Sequence, residues 1–228
     1  MVDIGKEELA KRLDHALVRP TVTDDDVREG CETARRFGVA LVSVMPSHVE
    51  LTASLLKGTD ILTGVSVAFP HGNTTTTAKL FEAEEALQRG AQEIDMVMNI
   101  SAFLSGRYDD VQQDISAVKW AAGSDILVKV ILEVAYLTDE QIVRASRLAE
   151  AAGADFIKTS TGFAPSGATP EIVRLMRSSV GPRVQVKAAQ GIRTYERALA
   201  MLEAGATRVG VSSTEDIMRG WDEHHRRQ

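Results

Sequence analysis

The sequence predicts an α/β fold: a single-domain (βα)8 barrel over residues 1–228, with a short additional N-terminal helix. Three observations predict it. Short apolar segments alternate with amphipathic ones along the whole chain, the pattern of a parallel sheet with right-handed crossovers. Three passages, EALQRGAQEIDMV, RLAEAAGADFIKTS and ALAMLEAGATRVGVS, repeat one junction in which a helix ends at glycine, an alanine follows, and an apolar strand begins. The length of 228 residues is that of one such barrel, which typically needs roughly 200 to 250.

Taken in order, a short opening helix precedes a strand near 13–17, and VREGCETARRFG belongs to a helix near 24–37. Strands follow near 39–44 and 61–68, separated by a helix near 47–57, and a helix near 74–89 leads to a strand near 93–99. Helices near 107–122, 138–151, 169–179 and 194–204 then alternate with strands near 126–133, 155–160, 183–188 and 207–211, and a short helix closes the chain. Gly90, Gly153 and Gly205 stand just past their helices, where a left-handed cap costs glycine nothing. An open doubly wound sheet is the structural rival, but the GxGxxG turn expected after its first strand is missing. No Pro/Gly/Ser linker or composition shift divides the chain.

With 44% hydrophobic and 25% charged residues, the chain can bury a sizeable core. A net charge of -6 supplies no electrostatic footprint for nucleic acid, so a small partner is expected. Cys31, the single cysteine, reads as a packed thiol. No apolar run reaches 18 residues, and the start MVDIGKEELAKRLDH has neither signal-peptide nor transit character, so neither a membrane span nor export is expected and the address is cytoplasmic.

Strand alternation carries the functional information. In LVKVILE, Val128, Val130 and Leu132 form one apolar face, leaving Lys129 and Glu133 on the other. In EIDMVMN, Ile94, Met96 and Met98 face the helices, while Asp95 and Asn99 face inward. RVQVKAAQ turns Val184 and Val186 outward and Gln185 with Lys187 inward, and Lys158 of DFIKTSTG lies opposite Ile157. Four consecutive strands thus aim Asp95, Lys129, Lys158 and Lys187 at one interior, toward the strand ends where such barrels carry their chemistry. A buried ion-pair network is the bland alternative.

Two lysines on neighbouring strands lower each other's pKa, and a neutral amine attacks a carbonyl to form an imine, an electron sink for carbon–carbon cleavage. Asp95, with Lys129 and Lys187 beside it, is the available proton shuttle. The five histidines show no HxH or HExxH spacing, which disfavours a metal site. TSTGF, the QGIRT turn and VGVSSTED are suited to an anion after the last strands, although Ser212-Ser213-Thr214 equally fits a helix N-cap. His71 in FPHGN reads as a loop hydrogen-bonding residue, and His224, His225, Arg226 and Arg227 as a solvated tail.

From LDHALVRPT to VGVSST the chain resembles the deoxyribose-phosphate aldolase family, most specifically in FEAEEALQRGAQEIDMV, LVKVILE, GADFIKTSTGF, GATPEIVRLMR, VKAAQGIRT and ALAMLEAGATR. The resemblance implies reversible, cofactor-free cleavage of 2-deoxy-D-ribose 5-phosphate to acetaldehyde and D-glyceraldehyde 3-phosphate, in deoxyribose phosphate catabolism. It makes Lys158 the imine-forming lysine, Lys187 its tuning partner, Asp95 the proton-transfer group and Lys129 the matching strand lysine. It assigns substrate or phosphate binding to Thr161, Gly162, Gly191, Ser212, Ser213 and Asp14. A homodimer is the expected assembly.

Three positions depart from the family pattern: Gln190 stands where a glycine is usual, Ala16 where a threonine is common, and Thr214 where a glycine is frequent. They bear on substrate preference, and Gln190 is expected to weaken or re-angle phosphate binding. Rival readings are an imine-forming aldolase for another aldehyde or an unphosphorylated acceptor, a non-covalent sugar-phosphate isomerase or flavin binder, and a catalytically silent barrel.

Overall fold

The computed structural model describes residues 4–226. The elements are α1 (Lys6–Ala10), β1 (Leu13–Leu17), α2 (Asp24–Phe37), β2 (Leu41–Val44), α3 (Val49–Leu56), β3 (Leu62–Val67), α4 (Thr76–Gln88), β4 (Glu93–Val97), α5 (Ile100–Leu104) and α6 (Tyr108–Ala122). Then come β5 (Leu127–Ile131), α7 (Asp139–Ala151), β6 (Phe156–Lys158), α8 (Pro170–Ser179), β7 (Gln185–Ala189), α9 (Tyr195–Glu203), β8 (Arg208–Val211) and α10 (Thr214–His225). All strands pair in parallel in chain order, and β8 returns to β1, which closes a TIM barrel.

Local chemistry explains the alternation. Thr23, Thr75, Thr138, Thr169 and Thr194 each accept a main-chain N–H from the first turn of the following helix, so five helices begin on a threonine cap. At the other end Gly90, Gly153 and Gly205 have φ of 106°, 89° and 110°, as the repeated junction requires. Ile94, Met96, Val128, Val130 and Val186 are fully buried between strands and helices, the side that alternation assigned them.

The differences from expectation have physical reasons. β4 ends at Val97, because the Asn99 side chain accepts the Ala102 N–H at 3.0 Å and caps α5. Asn99 therefore serves a helix and does not face the bore. β5 stops at Ile131, and Glu133 adopts a left-handed backbone with φ of 55°. Gln185 opens β7 at the exposed base of the barrel, where Thr207 Oγ1 donates to its Oε1 at 2.7 Å.

The closing helix is not short: α10 spans 12 residues. His224 and His225 lie on it half-buried, with His225 stacked on Trp221 at 3.8 Å and His224 near Tyr195 at 5.4 Å. They pack instead of forming a solvated tail; Arg226 is exposed, and Arg227 lies outside the described residues, as do the first three residues of the start. His71 is exposed and makes no side-chain hydrogen bond among the described residues, because main chain closes its turn, Gly72 N–H to Ala68 carbonyl at 2.8 Å. Cys31 is the buried thiol expected, and burial pushes its pKa up to about 11.

Candidate active site

Register brings the interior charges together. Asp95 is level with Lys129 across β4 and β5, and Lys158 is level with Lys187 across β6 and β7. Asp95 Oδ2 accepts from Lys158 Nζ at 2.7 Å and from Lys187 Nζ at 2.8 Å, while Asp95 Oδ1 accepts from Lys129 Nζ at 2.8 Å. One carboxylate therefore holds three ammonium groups, and the Lys158 and Lys187 nitrogens cannot be farther apart than those two bonds laid end to end. Gly210 makes room for this, since a Cβ there would lie 3.2 Å from Lys187 Cε.

These charges are layered. A cleft of about 580 Å³ opens at the strand C-terminal ends, a size suited to a small metabolite. Lys158 and Lys187 line it, whereas Lys129 and Asp95 do not. Side-chain exposure decides which amine meets a ligand: 8% for Lys158, 1% for Lys187 and none for Lys129. Lys129 is the floor of the cluster, ion-paired to Glu93 as well as Asp95.

Electrostatics separates the same residues. Burial pushes Lys158 down to about 8; Asp95 opposes the shift, and Lys187 adds a smaller push in the same direction as burial. Desolvation thus comes first among the lowering causes and the neighbouring lysine second, whereas the sequence reading rests the lowering on the lysine pair. Burial alone would raise Asp95, but Lys129, Lys158 and Lys187 hold it well below the usual carboxylate range. Lys129 is opposed by burial yet raised by Asp95, Glu93 and Asp14, so it stays an ammonium.

Gly162, with φ of 99°, Gly191, with φ of 81°, and Ser212 line the cleft beside Lys158. Ser213 does not; with Ser212 it lines an adjoining cavity between α2 and α10. Ser213 occupies the N-cap position of α10, but its side chain makes no capping bond, unlike the threonine caps of α2, α4, α7, α8 and α9. Asp14 is completely buried below the cleft, where it pairs with Lys187 at 2.5 Å and with Arg208. It is a support for the lysine, not a surface for a ligand.

Thr161 lines the cleft, yet both its donors go to Glu133: N–H at 3.2 Å and the hydroxyl to Oε2. The hydroxyl oxygen also accepts the Phe163 N–H at 3.0 Å, so no Thr161 donor is left for a ligand. Ala16 lines the cleft, whereas Thr214 is buried with its hydroxyl 2.9 Å from His15 Nδ1, turned away from it. Gln190 has a left-handed φ of 74°, which explains why glycine suits this position, and its Nε2 donates to the Ala164 carbonyl at 2.6 Å.

Sequence reasoning missed Glu93 and Arg208, which complete the charges under the cleft. The period-two signal was available: Glu93 precedes Asp95 by two residues, and Arg208 precedes Gly210 by two. Collectively the site offers a buried amine of lowered pKa at the bottom of the cleft, able to add to a carbonyl.

Residues 7–219 match the model of the DeoC/LacD family aldolases. The chain is 49% identical to the deoxyribose-phosphate aldolase of Caldanaerobacter subterraneus subsp. tengcongensis, over 96% of this chain and 97% of that one. It is 48% identical to the deoxyribose-phosphate aldolase of a Thermoanaerobacter species, over 94% and 97%. The solved deoxyribose phosphate aldolase of Aeropyrum pernix, described as a tetramer, superposes with a TM-score of 0.90 at 31% identity, covering 96% of this chain and 93% of that one. With nearly the whole barrel matched, this chain belongs to the DeoC/LacD family of aldolases.

Proposed function

We propose that this chain is a deoxyribose-phosphate aldolase, cleaving 2-deoxy-D-ribose 5-phosphate reversibly to acetaldehyde and D-glyceraldehyde 3-phosphate through an imine on Lys158. The observation that carries the reading is the position of Lys158, the most exposed of the three clustered lysines, at the cleft floor with a pKa near 8.

The neutral Lys158 amine adds to the aldehyde carbon, and loss of water gives the imine. Deprotonation of the C3 hydroxyl lets the C2–C3 bond break, with its electron pair drawn toward the imine as an enamine. Glyceraldehyde 3-phosphate leaves, C2 takes a proton, and water releases acetaldehyde and the amine. Asp95, too acidic to store a proton at neutral pH, acts as a conduit between Lys158 and Lys187, and Lys187 carries the proton to the cleft. Lys129 keeps Asp95 ionised and aligned.

Gly162, Gly191 and Ser212 hold the phosphate with main-chain and hydroxyl donors, while Ser213, in the adjoining cavity, and Thr161, with no donor free, stay outside that set. The reaction uses no cofactor. The family likeness and the absence of a membrane-length apolar helix among the described residues support a cytoplasmic address. We assign a homodimer, supported by Phe81, Leu104 and Trp120, exposed at 68%, 51% and 84% on α4, α5 and α6; light scattering of the purified protein tests it.

Borohydride reduction in the presence of acetaldehyde tests the chemistry. An N-ethyl lysine at Lys158, absent from a folded Lys158→Ala variant, is expected; folded wild-type protein without the adduct overturns the reading. Gln190 favours a second reading, a related imine-forming aldolase with altered phosphate preference, because a left-handed side chain borders the cleft beside Gly191. Comparing kcat/KM for deoxyribose and its 5-phosphate separates the two.

A further inference from the structure

The charges beneath the cleft close on themselves. Asp14 pairs with Lys187 at 2.5 Å, Lys187 with Asp95 at 2.8 Å, and Asp95 with Lys129 at 2.8 Å. Lys129 pairs in turn with Glu93, Glu93 with Arg208 at 3.5 Å, and Arg208 with Asp14, donating from Nε at 2.7 Å. Three carboxylates and three cations alternate around this ring, drawn from β1, β4, β5, β7 and β8. Lys158 is attached outside it, through Asp95 Oδ2 at 2.7 Å.

The ring alone is electrically neutral, so Lys158 is a seventh charge with no carboxylate of its own in the ring. Glu133, which faces it from outside the ring, is hydrogen-bonded to Thr161 and pushed by burial toward its neutral form. A buried unbalanced ion is costly, and it is relieved when that group gives up its proton while all others stay paired. The ring members fit this: Asp14 and Asp95 are held down by their cations against burial, and Lys129 and Arg208 are raised by their anions against burial.

We propose that Glu93 and Arg208 are positioning residues that act on Lys158 through this ring, fixing the charge balance that leaves Lys158 as its one uncompensated cation. Neither lines the cleft, so neither touches substrate. The other charged groups facing Lys158 are Asp95 from β4, Lys129 and Glu133 from β5 and its end, and Lys187 from β7. Arg19, Asp26 and Arg193 stand at the cleft mouth, exposed to solvent that screens them. The proposal rests on Lys158 as the nucleophile.

The test titrates the amine itself. Acetic anhydride labels neutral amines, and peptide mass spectrometry reads labelling of Lys158 as a function of pH. Removing an anion from the ring in Glu93→Gln lowers the midpoint, and removing a cation in Arg208→Gln raises it. At pH 7 a shift of about half to one unit reads as a roughly threefold to fivefold gain in Glu93→Gln and a roughly threefold to tenfold loss in Arg208→Gln, because the gain saturates as the amine becomes mostly neutral. Arg208→Lys, which keeps the cation, holds the wild-type midpoint and serves if Arg208→Gln does not fold; circular dichroism checks each variant.

Opposite shifts support the ring. Midpoints that stay put, or move in the same direction in folded Glu93→Gln and Arg208→Gln, overturn it. The labelling does not depend on turnover: opposite shifts in a protein that forms no acetaldehyde adduct keep the ring and sink the aldolase reading, whereas an adduct with unmoved midpoints does the reverse.

Discussion

Two buried lysines in this molecule have lowered pKa values, and their surroundings differ. Lys79 on α4 is fully buried, with Nζ 2.5 Å from Asp114 Oδ2 of α6 and donating to the Val97 carbonyl at 2.8 Å. Burial pushes it down, and Asp114 and Glu82 push back. The cavity on that side is lined by Thr76 and Asp114 but not by Lys79. Lys158 shares one carboxylate oxygen with a second lysine and opens into the cleft. Desolvation alone therefore does not make a nucleophile. It takes a cation in excess of its anions, placed where a carbonyl can arrive.

The sharpest way to break that comparison is to remove each lysine. Lys158→Met is expected to lower kcat on the order of 10⁴-fold or more, the scale for losing a covalent nucleophile, in a protein that still folds. Lys79→Met should leave kcat of the folded enzyme unchanged while costing about 3–5 kcal/mol, because Asp114 is left buried without its cation. Steady-state kinetics and urea denaturation check both; a folded but inactive Lys79→Met protein would erase the distinction.

The pH dependence sharpens it further. With Lys158 near 8, about a tenth of it is neutral at pH 7 and about a hundredth at pH 6. The amine is the reactive form, so kcat/KM should rise roughly tenfold per unit up to about pH 8 and then level off. A profile from pH 6 to about 9.5 that is flat on its acid side, contrary to the lowered pKa, would mean that Lys158 titrates elsewhere.

The smallest effect is expected at Gln190→Gly. Relief of a left-handed backbone, about 1–2 kcal/mol, is offset by loss of the Ala164 hydrogen bond, about 1 kcal/mol, so stability barely moves. KM for deoxyribose 5-phosphate should fall a few-fold while KM for deoxyribose stays the same. Unchanged KM for the phosphorylated sugar would remove Gln190 from the anion site.

What was legible in the sequence follows from how local each signal is. Glycine junctions and strand alternation are written in neighbouring residues, so the eight strands and the inward side chains of Asp95, Lys129, Lys158 and Lys187 could be read directly. Depth along the bore depends on the stagger of strands distant in sequence. It decides that Lys158 reaches the cleft while Lys129 and Asp14 lie below it. α5 escaped notice because Ile100–Leu104 is a five-residue helix whose cap, Asn99, continued the alternation of β4. The order of causes at Lys158 was misjudged because burial depends on everything around the amine, and the sequence exposes only its partner.

The ring also bears on assembly of the barrel. Arg208 and Asp14 meet at the seam where the last strand joins the first, and Arg208 spans the bore to Glu93 on β4. The ring is complete only once the seam is shut, because Lys187 and Arg208 reach Asp14 across it, whereas Lys129 pairs with Glu93 and Asp95 between neighbouring strands. An open, partly wound sheet would have to keep Asp14 hydrated. Closure of the seam and dehydration of Asp14 are consequently one event, and an incompletely wound barrel lacks the full ring beneath Lys158.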